Sequence, residues 1–396
     1  MRKWVVLAAG VVLQTILGGI YAWSVFVPSL TKGYGFTKGE CGLIFGVMIA
    51  AFTLTMIPAG RLLQKYGPRM TAGGGALLFS MGYILASFSG GSYPLLLAAL
   101  GVVTGAGIGF GYVCPLTIGM KWFPKNKGLI TGVAVAGFGG GAILFSFLTE
   151  YLLDSVGMSV LEVFRFVGIV LGGVAFVSAM FMSEPEKEND SNAGNAVQNI
   201  GVHTASATFC LLCFGMFAST FAGLLTVGNL KPLALSIGLD DRFATLSITL
   251  FAIGNTGGRI LWGQVHDRFR SRKTVMLSLG FLGIALLPFL MKLPAGAVLL
   301  TALMCGVGFG ACFVVYASSI VEHFGVGLFP RLYPLCFLGY GLAGLTGPAI
   351  GGWIADATAS YRSAVILSMF TVFLALGFIG VGLKSAVSRT IKGRTV

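Results

Sequence analysis

Two side chains within "FAIGNTGGRILWGQ", residues 251–264, have the types and spacing to hold an anion. Arg259 carries a planar guanidinium whose fork matches a carboxylate, a two-bond grip that a lysine ammonium cannot reproduce. Asn255 stands four residues earlier, on the same face of a helix, where its amide can donate to the same ligand. The pair therefore points to a carboxylate. Each residue also has a plainer reading: a long arginine stem can carry its charge out to a membrane interface, and an intramembrane Asn can simply join two helices.

Other chemistry finds less support. An intramembrane enzyme needs paired carboxylates, a Ser/His pair or metal ligands at one depth. The three histidines, His203, His266 and His323, fall in a polar linker, a basic loop and a helix end, where solvation is expected. Of the thirteen acids none sits at mid-membrane, and Glu150 and Asp356 lie toward helix ends. No Gly-x-x-x-x-Gly-Lys nucleotide loop of an ATP-driven pump occurs. The chain is thus expected not to be an enzyme, with no catalytic residues, metal site or cofactor. All seven cysteines lie in or beside apolar runs as small hydrophobes, and the redox-like spacing of Cys210 and Cys213 lacks metal-ligand neighbours.

The elements that must position Arg259 are membrane helices. The 396 residues are 56% hydrophobic and 10% charged, with a mean hydropathy of +0.90, far beyond what a soluble core requires. About twenty apolar residues at 1.5 Å rise span a hydrocarbon core of roughly 30 Å. Twelve such runs occur, near 4–28, 41–62, 70–89, 93–119, 128–153, 161–182, 207–230, 243–265, 274–292, 296–322, 331–355 and 361–383. Unbroken runs of this length exclude alternating barrel strands, so the class is an all-α polytopic membrane protein. The first run shows no small-residue cleavage site and is expected to remain as a helix. Arg259 lies roughly 9–10 Å inside the end of the eighth run. A guanidinium near a helix centre costs on the order of 2.5–3.5 kcal/mol, so it is expected to face protein or a watery cavity.

The net charge of +13 follows alternate connections rather than forming a nucleic-acid patch. Arg61, Lys65 and Arg69, then Lys121, Lys125 and Lys127, then Arg268, Arg270, Arg272 and Lys273, then Arg331 occupy one side. Arg2, Lys3, Lys384, Arg389, Lys392 and Arg394 place the termini with them. The other connections hold fewer cations: Lys32, Lys38, Arg165, Lys231, Arg242, Lys292 and Arg362. Cytoplasmic loops carry the excess of cations, so both termini are expected in the cytoplasm, with the chain integral to the cell membrane, the inner membrane of a bacterium. Trp4, Trp122, Trp262 and Trp353 stand near run ends, as aromatic belts do.

"SEPEKENDSNAGNAVQNIGVHTAS" (183–206) is the longest polar stretch and separates six runs from six. The expected organisation is an N-terminal half at 1–183, a cytoplasmic linker at 184–206 and a C-terminal half at 207–396. The halves share a repeat at an offset of 203: "GRLLQKYGPRM" (60–70) matches "GQVHDRFRSRK" (263–273), and "VAGFGGG" (135–141) matches "LGYGLAG" (338–344). Glycines at such intervals suit close helix contacts, whether moving or static.

These features together resemble the major facilitator superfamily. "GQVHDRFRSRK" is similar to that superfamily's Gly-x-x-x-Asp-Arg-x-Gly-x-Arg-Lys signature, with Arg270 in place of its glycine. The first-half copy has Gln64 in place of the acid, which implies a weaker cytoplasmic latch on that side. "GGIYAWSVF", "KWFPKNKGLITGVAVAGFGGG" and "NTGGRILWG" resemble the oxalate/formate antiporter family and the related monocarboxylate transporters. The resemblance implies twelve helices in two pseudo-symmetric six-helix halves, the major facilitator fold, acting as a monomer by alternating access.

It also implies a substrate. Oxalate exchangers of the family pair the arginine with a lysine three helices later, one cation per carboxylate; here Tyr340 takes the lysine position. One cation suits one carboxylate, so a monocarboxylate such as lactate, pyruvate or formate is expected ahead of oxalate. Matching helices adds Tyr21, Tyr112, Phe138 and Phe313 to Arg259, Asn255 and Tyr340 as substrate-binding candidates, although for each aromatic alone packing or lipid contact is the simpler role. Trp23 and Tyr316 are weaker candidates. Related monocarboxylate carriers place a proton-carrying acid where Asn255 stands, and their first-helix lysine is absent here, Ser29 following Pro28. Anion entry against a negative interior costs about 2.3 kcal/mol per 100 mV, which a co-transported proton or a counter-transported anion would remove. Proton symport is placed first, oxalate/formate-type exchange second, and a sensor built on a transporter scaffold third.

Overall fold

The computed structural model describes residues 2–185, 203–291 and 293–383. Most of the expected linker, the cations from Lys384 onward and Lys292 lie outside the described residues. Among the described residues the elements are helices, with no strand. Ten helices among the described residues are long and apolar enough to cross a bilayer. Two of them, Glu40–Ser87 and Arg242–Leu290, are 48 and 49 residues long, more than twice the roughly twenty that a bilayer needs. Each is broken by one residue with left-handed φ, Gly67 (φ 78°, ψ 175°) and Arg270 (φ 65°, ψ 175°). Dividing them there yields the twelve spans expected from hydropathy.

In chain order the spans are α1 (Arg2–Trp23), α2 (40–66), α3 (68–87), α4 (Tyr93–Trp122), α5 (Lys127–Ser155), α6 (Val160–Met180), α7 (Ala207–Gly228), α8 (242–269), α9 (271–290), α10 (Ala295–Phe324), α11 (Phe329–Ala355) and α12 (Arg362–Gly382). The two breaks fall 203 residues apart, at equivalent places in the repeat. Gly67 accepts this backbone because it lacks a Cβ. Arg270 adopts it with one, in a region populated almost solely by glycine, at a strain of about 1–3 kcal/mol. The substitution that departs from the superfamily signature therefore leaves the turn intact and stores strain in it.

Contacts divide the chain into two compact units, Met1–Pro124 with Ala134–Glu188, and Lys125–Val133 with Asn189–Val396. In the first unit, α1 tightens to a 3₁₀ stretch over Gly18–Val25, which carries Tyr21. Reciprocal capping boxes, Thr37 with Glu40 and Ser159 with Glu162, satisfy the orphan N–H groups at the starts of α2 and α6.

The second unit joins α7–α12 to the first turns of α5. Both carboxylate oxygens of Asp267 accept backbone N–H groups there, from Gly128 and Leu129, each at 2.8 Å. A negative side chain on a helix N-terminus complements both the unpaired donors and the positive end of the dipole. Glu322 at the end of α10 does the same for α9, accepting from Ser271 N at 2.9 Å. His266, expected to be solvated, is instead buried beside that carboxylate, its Nε2 3.7 Å from Glu322 Oε2 and 3.5 Å from Ser319 Oγ. The end of α10 covers the loop, which sequence distance hides. Trp262 likewise is no belt residue: it is 6% exposed and donates from Nε1 to Val307 O at 3.1 Å.

Candidate anion-binding site

Glycine spacing sets the position of Arg259. Gly254 and Gly258 on α8 face Gly306 and Gly310 on α10, two small-xxx-small pairs. A Cβ added at Gly258 would stand 2.5 Å from Val307 O and 2.8 Å from Val307 Cα, so the two backbones approach as closely as glycine allows. Arg259, next to Gly258, is thereby delivered against α10. About 16 Å of helix separates it from the break at Arg270.

The guanidinium is fully buried, at 0% exposure, so it does not reach for an interface. Its Nε donates to Asn255 Oδ1 at 3.2 Å, and its Cζ lies 4.3 Å from the centre of the Phe313 ring. A cation over an aromatic face gains from the ring quadrupole, and more so away from water. Because guanidinium only donates, it must face the carbonyl end of the Asn255 amide. The amide nitrogen of Asn255 makes no hydrogen bond among the described residues. Asn255 thus orients the fork and offers a donor of its own.

Phe313 in turn meets Tyr340 of α11 edge-on, with ring centroids 5.4 Å apart and a tilt of 72°. Phe309 (5.2 Å from Phe313) and Phe337 (4.9 Å from Tyr340) complete the aromatic wall. Those two were missed in the sequence, although each stands three or four residues from a predicted member and so on the same helix face. Four of the seven candidates, Arg259, Asn255, Phe313 and Tyr340, therefore come together within the second unit.

The remaining three meet within the first unit. Phe138 of α5 receives Tyr21 and Tyr112 edge-on, at centroid distances of 5.5 and 5.0 Å. Phe52 of α2 packs on both Tyr112 (5.2 Å) and Phe138 (5.9 Å). Gln14 of α1 is completely buried and donates from Nε2 to Tyr112 O at 3.0 Å, fixing α4 at that level. The sequence signal for it is a lone amide within an apolar run. Trp23, a weaker candidate, is engaged structurally, donating from Nε1 to Cys41 O at 2.8 Å. Tyr316 is buried and accepts from Ser219 Oγ at 3.5 Å.

Residues 7–226 and 207–394 match the sequence profile of the Major Facilitator Superfamily. The oxalate:formate antiporter of Oxalobacter formigenes is 26% identical over 391 residues, covering 94% of this chain and 90% of its own length. Monocarboxylate transporter 6 of Mus musculus is 24% identical over 428 residues, covering 98% of this chain and 88% of its own. Among solved structures, the transporter FucP in its outward conformation superposes with a TM-score of 0.76 at 16% identity, over 97% of this chain and 100% of that one, a likeness of fold. Twelve membrane helices, the repeated loop with its positive-φ turn and a profile match over nearly the whole sequence lead to one conclusion: the chain belongs to the Major Facilitator Superfamily.

Proposed function

We propose that the chain is a secondary transporter of small monocarboxylates, of the lactate, pyruvate or formate class, working by alternating access with a co-transported proton. The observation that carries this reading is the fully buried guanidinium of Arg259, oriented by Asn255 and stacked on Phe313 within a membrane helix. A planar cation in such surroundings binds a carboxylate through paired charge-assisted bonds, while the rings of Phe313 and Tyr340 suit a short apolar remainder. Tyr21, Tyr112 and Phe138 are the candidates in the first unit. The relatives named for oxalate:formate antiport and monocarboxylate transport support the substrate class. In this reading the halves at 1–183 and 207–396, joined by the linker at 184–206, work as one monomer in a bacterial inner membrane with both termini in the cytoplasm.

Exchange of oxalate for formate is the second reading, favoured by the antiporter's similarity over nearly the entire chain. Proteoliposomes decide between them. Uptake of radiolabelled lactate, pyruvate or formate should rise when an inward proton gradient is imposed. Uptake that ignores the gradient but requires preloaded oxalate or formate selects exchange; no carboxylate flux under either condition overturns the assignment.

A further inference from the structure

Two cysteines far apart in the chain meet between α7 and α11 of the second unit. The glycines of α11 set the register of that contact. A Cβ added at Gly339 would lie 3.3 Å from Cys213 O and 3.2 Å from Phe217 N. One at Gly347 would lie 3.1 Å from both Phe221 O and Leu225 N, and one at Gly351 2.9 Å from Leu225 Cγ and 2.5 Å from Asn229 Nδ2. Each glycine thus stands between residues four apart on the α7 side, and both series rise together, as parallel helices in close contact require. Carried one turn back from Gly339, this register brings Cys336 beside Cys213. The two thiols are hydrogen-bonded to each other.

Their surroundings differ. Cys336 is completely buried, whereas Cys213 is half-buried and so the more accessible of the two. Cys210, three residues from Cys213, is exposed and its Sγ donates to Thr204 O at 3.7 Å. The neighbour of Cys213 is therefore a thiol on another helix and not the one at redox-like spacing in the sequence. We infer that Cys213 and Cys336 form a peroxide-sensitive pair that closes to a disulfide and pins α7 to α11. Hydrogen peroxide is small and uncharged, and Cys213 is the sulfur it reaches. That sulfur attacks one peroxide oxygen, the O–O bond breaks, and the departing oxygen takes the thiol proton and leaves as water, with a sulfenic acid formed at Cys213. Cys336 then attacks the same sulfur; the S–O bond breaks, the hydroxyl and the second thiol proton leave as water, and the S–S bond forms. The two thiols lose two electrons, the peroxide gains them, and no charge remains among the helices. Apolar surroundings slow the first step, because the thiolate is the better nucleophile, while contact between the thiols favours the second. Tyr340 stands one turn beyond Cys336, so the cross-link fixes the part of α11 that carries it.

Peroxide treatment and peptide mapping test this on the full chain. Protein purified under reducing conditions is exposed to millimolar hydrogen peroxide, the remaining thiols are alkylated, and the peptides are identified by mass spectrometry. Two of the seven thiols should disappear together, be recovered as one Cys213–Cys336 cross-linked peptide, and return on treatment with tris(carboxyethyl)phosphine. Apparent Tm should rise by several degrees on oxidation, because the bond closes a long loop of chain, and Cys336→Ser should abolish that rise. In Cys336→Ser the Cys213 sulfenic acid should accumulate and be labelled by dimedone. A Cys210–Cys213 bond, further oxidation of Cys213 without a cross-link, or retention of all seven thiols would each overturn the inference, and each is read on the parent chain alone. A Cys213–Cys336 bond that leaves Tm unchanged would show that it does not pin the helices and would overturn it as well.

Discussion

Replacing Arg259 with lysine keeps the charge and removes the geometry. The ammonium has no counterpart of the Nε that donates to Asn255 Oδ1 at 3.2 Å, and it lacks the flat surface lying 4.3 Å over Phe313. It also holds a carboxylate through a point charge, forfeiting one of two parallel bonds. A hydrogen bond to a charged group is worth about 1.5–3 kcal/mol, so Kd for lactate should rise by about 10–150-fold. Isothermal titration on purified protein measures this directly, with size-exclusion behaviour and circular dichroism confirming that the variant is folded. Arg259→Gln, which removes the charge, should abolish both binding and proteoliposome uptake. If Arg259→Lys bound lactate within about threefold of the parent, under 1 kcal/mol, the two-bond clamp would be refuted. Lactate binding by Arg259→Gln would remove the arginine from the site altogether.

Three further outcomes follow from the geometry. Arg270→Gly should raise the apparent Tm, because it relieves a left-handed backbone strained by about 1–3 kcal/mol at an exposed position; a fall would show that the arginine side chain contributes more than its backbone costs. Gly258→Val should lower apparent Tm and lactate affinity together, since its Cβ meets Val307 backbone atoms that cannot yield without moving α10, an overpacking worth about 1–3 kcal/mol; unchanged lactate affinity in a folded variant would mean that the glycine contact does not position Arg259. Tyr340→Lys, placing a second cation on α11 at the residue whose ring meets Phe313, which Arg259 covers, should shift binding toward oxalate and away from lactate by about tenfold or more, read in competition titrations; an unaltered ratio would dissociate Tyr340 from substrate choice.

Much of the architecture was legible without coordinates, because the bilayer imposes its thickness on the chain. Runs of about twenty apolar residues gave the twelve spans, and cations on alternate connections gave their expected orientation. The offset of 203 anticipated that Gly67 and Arg270 occupy equivalent turns, although only the backbone angles showed that Arg270 keeps the glycine conformation. Arg259 stood out because a charge is costly at that depth, and Asn255 because helical spacing puts it four residues away.

What the sequence could not decide was which side of each helix meets protein. In a lipid-embedded chain both faces are apolar, so the hydrophobic periodicity that marks the inner face of a soluble helix is nearly absent. The burial of Arg259 against Phe313, the aromatic neighbours Phe309 and Phe337, and the enclosure of His266 and Trp262 all depend on where α10 crosses α8. That crossing is set by glycines about fifty residues apart in the chain, a pairing that exists only once the helices have packed.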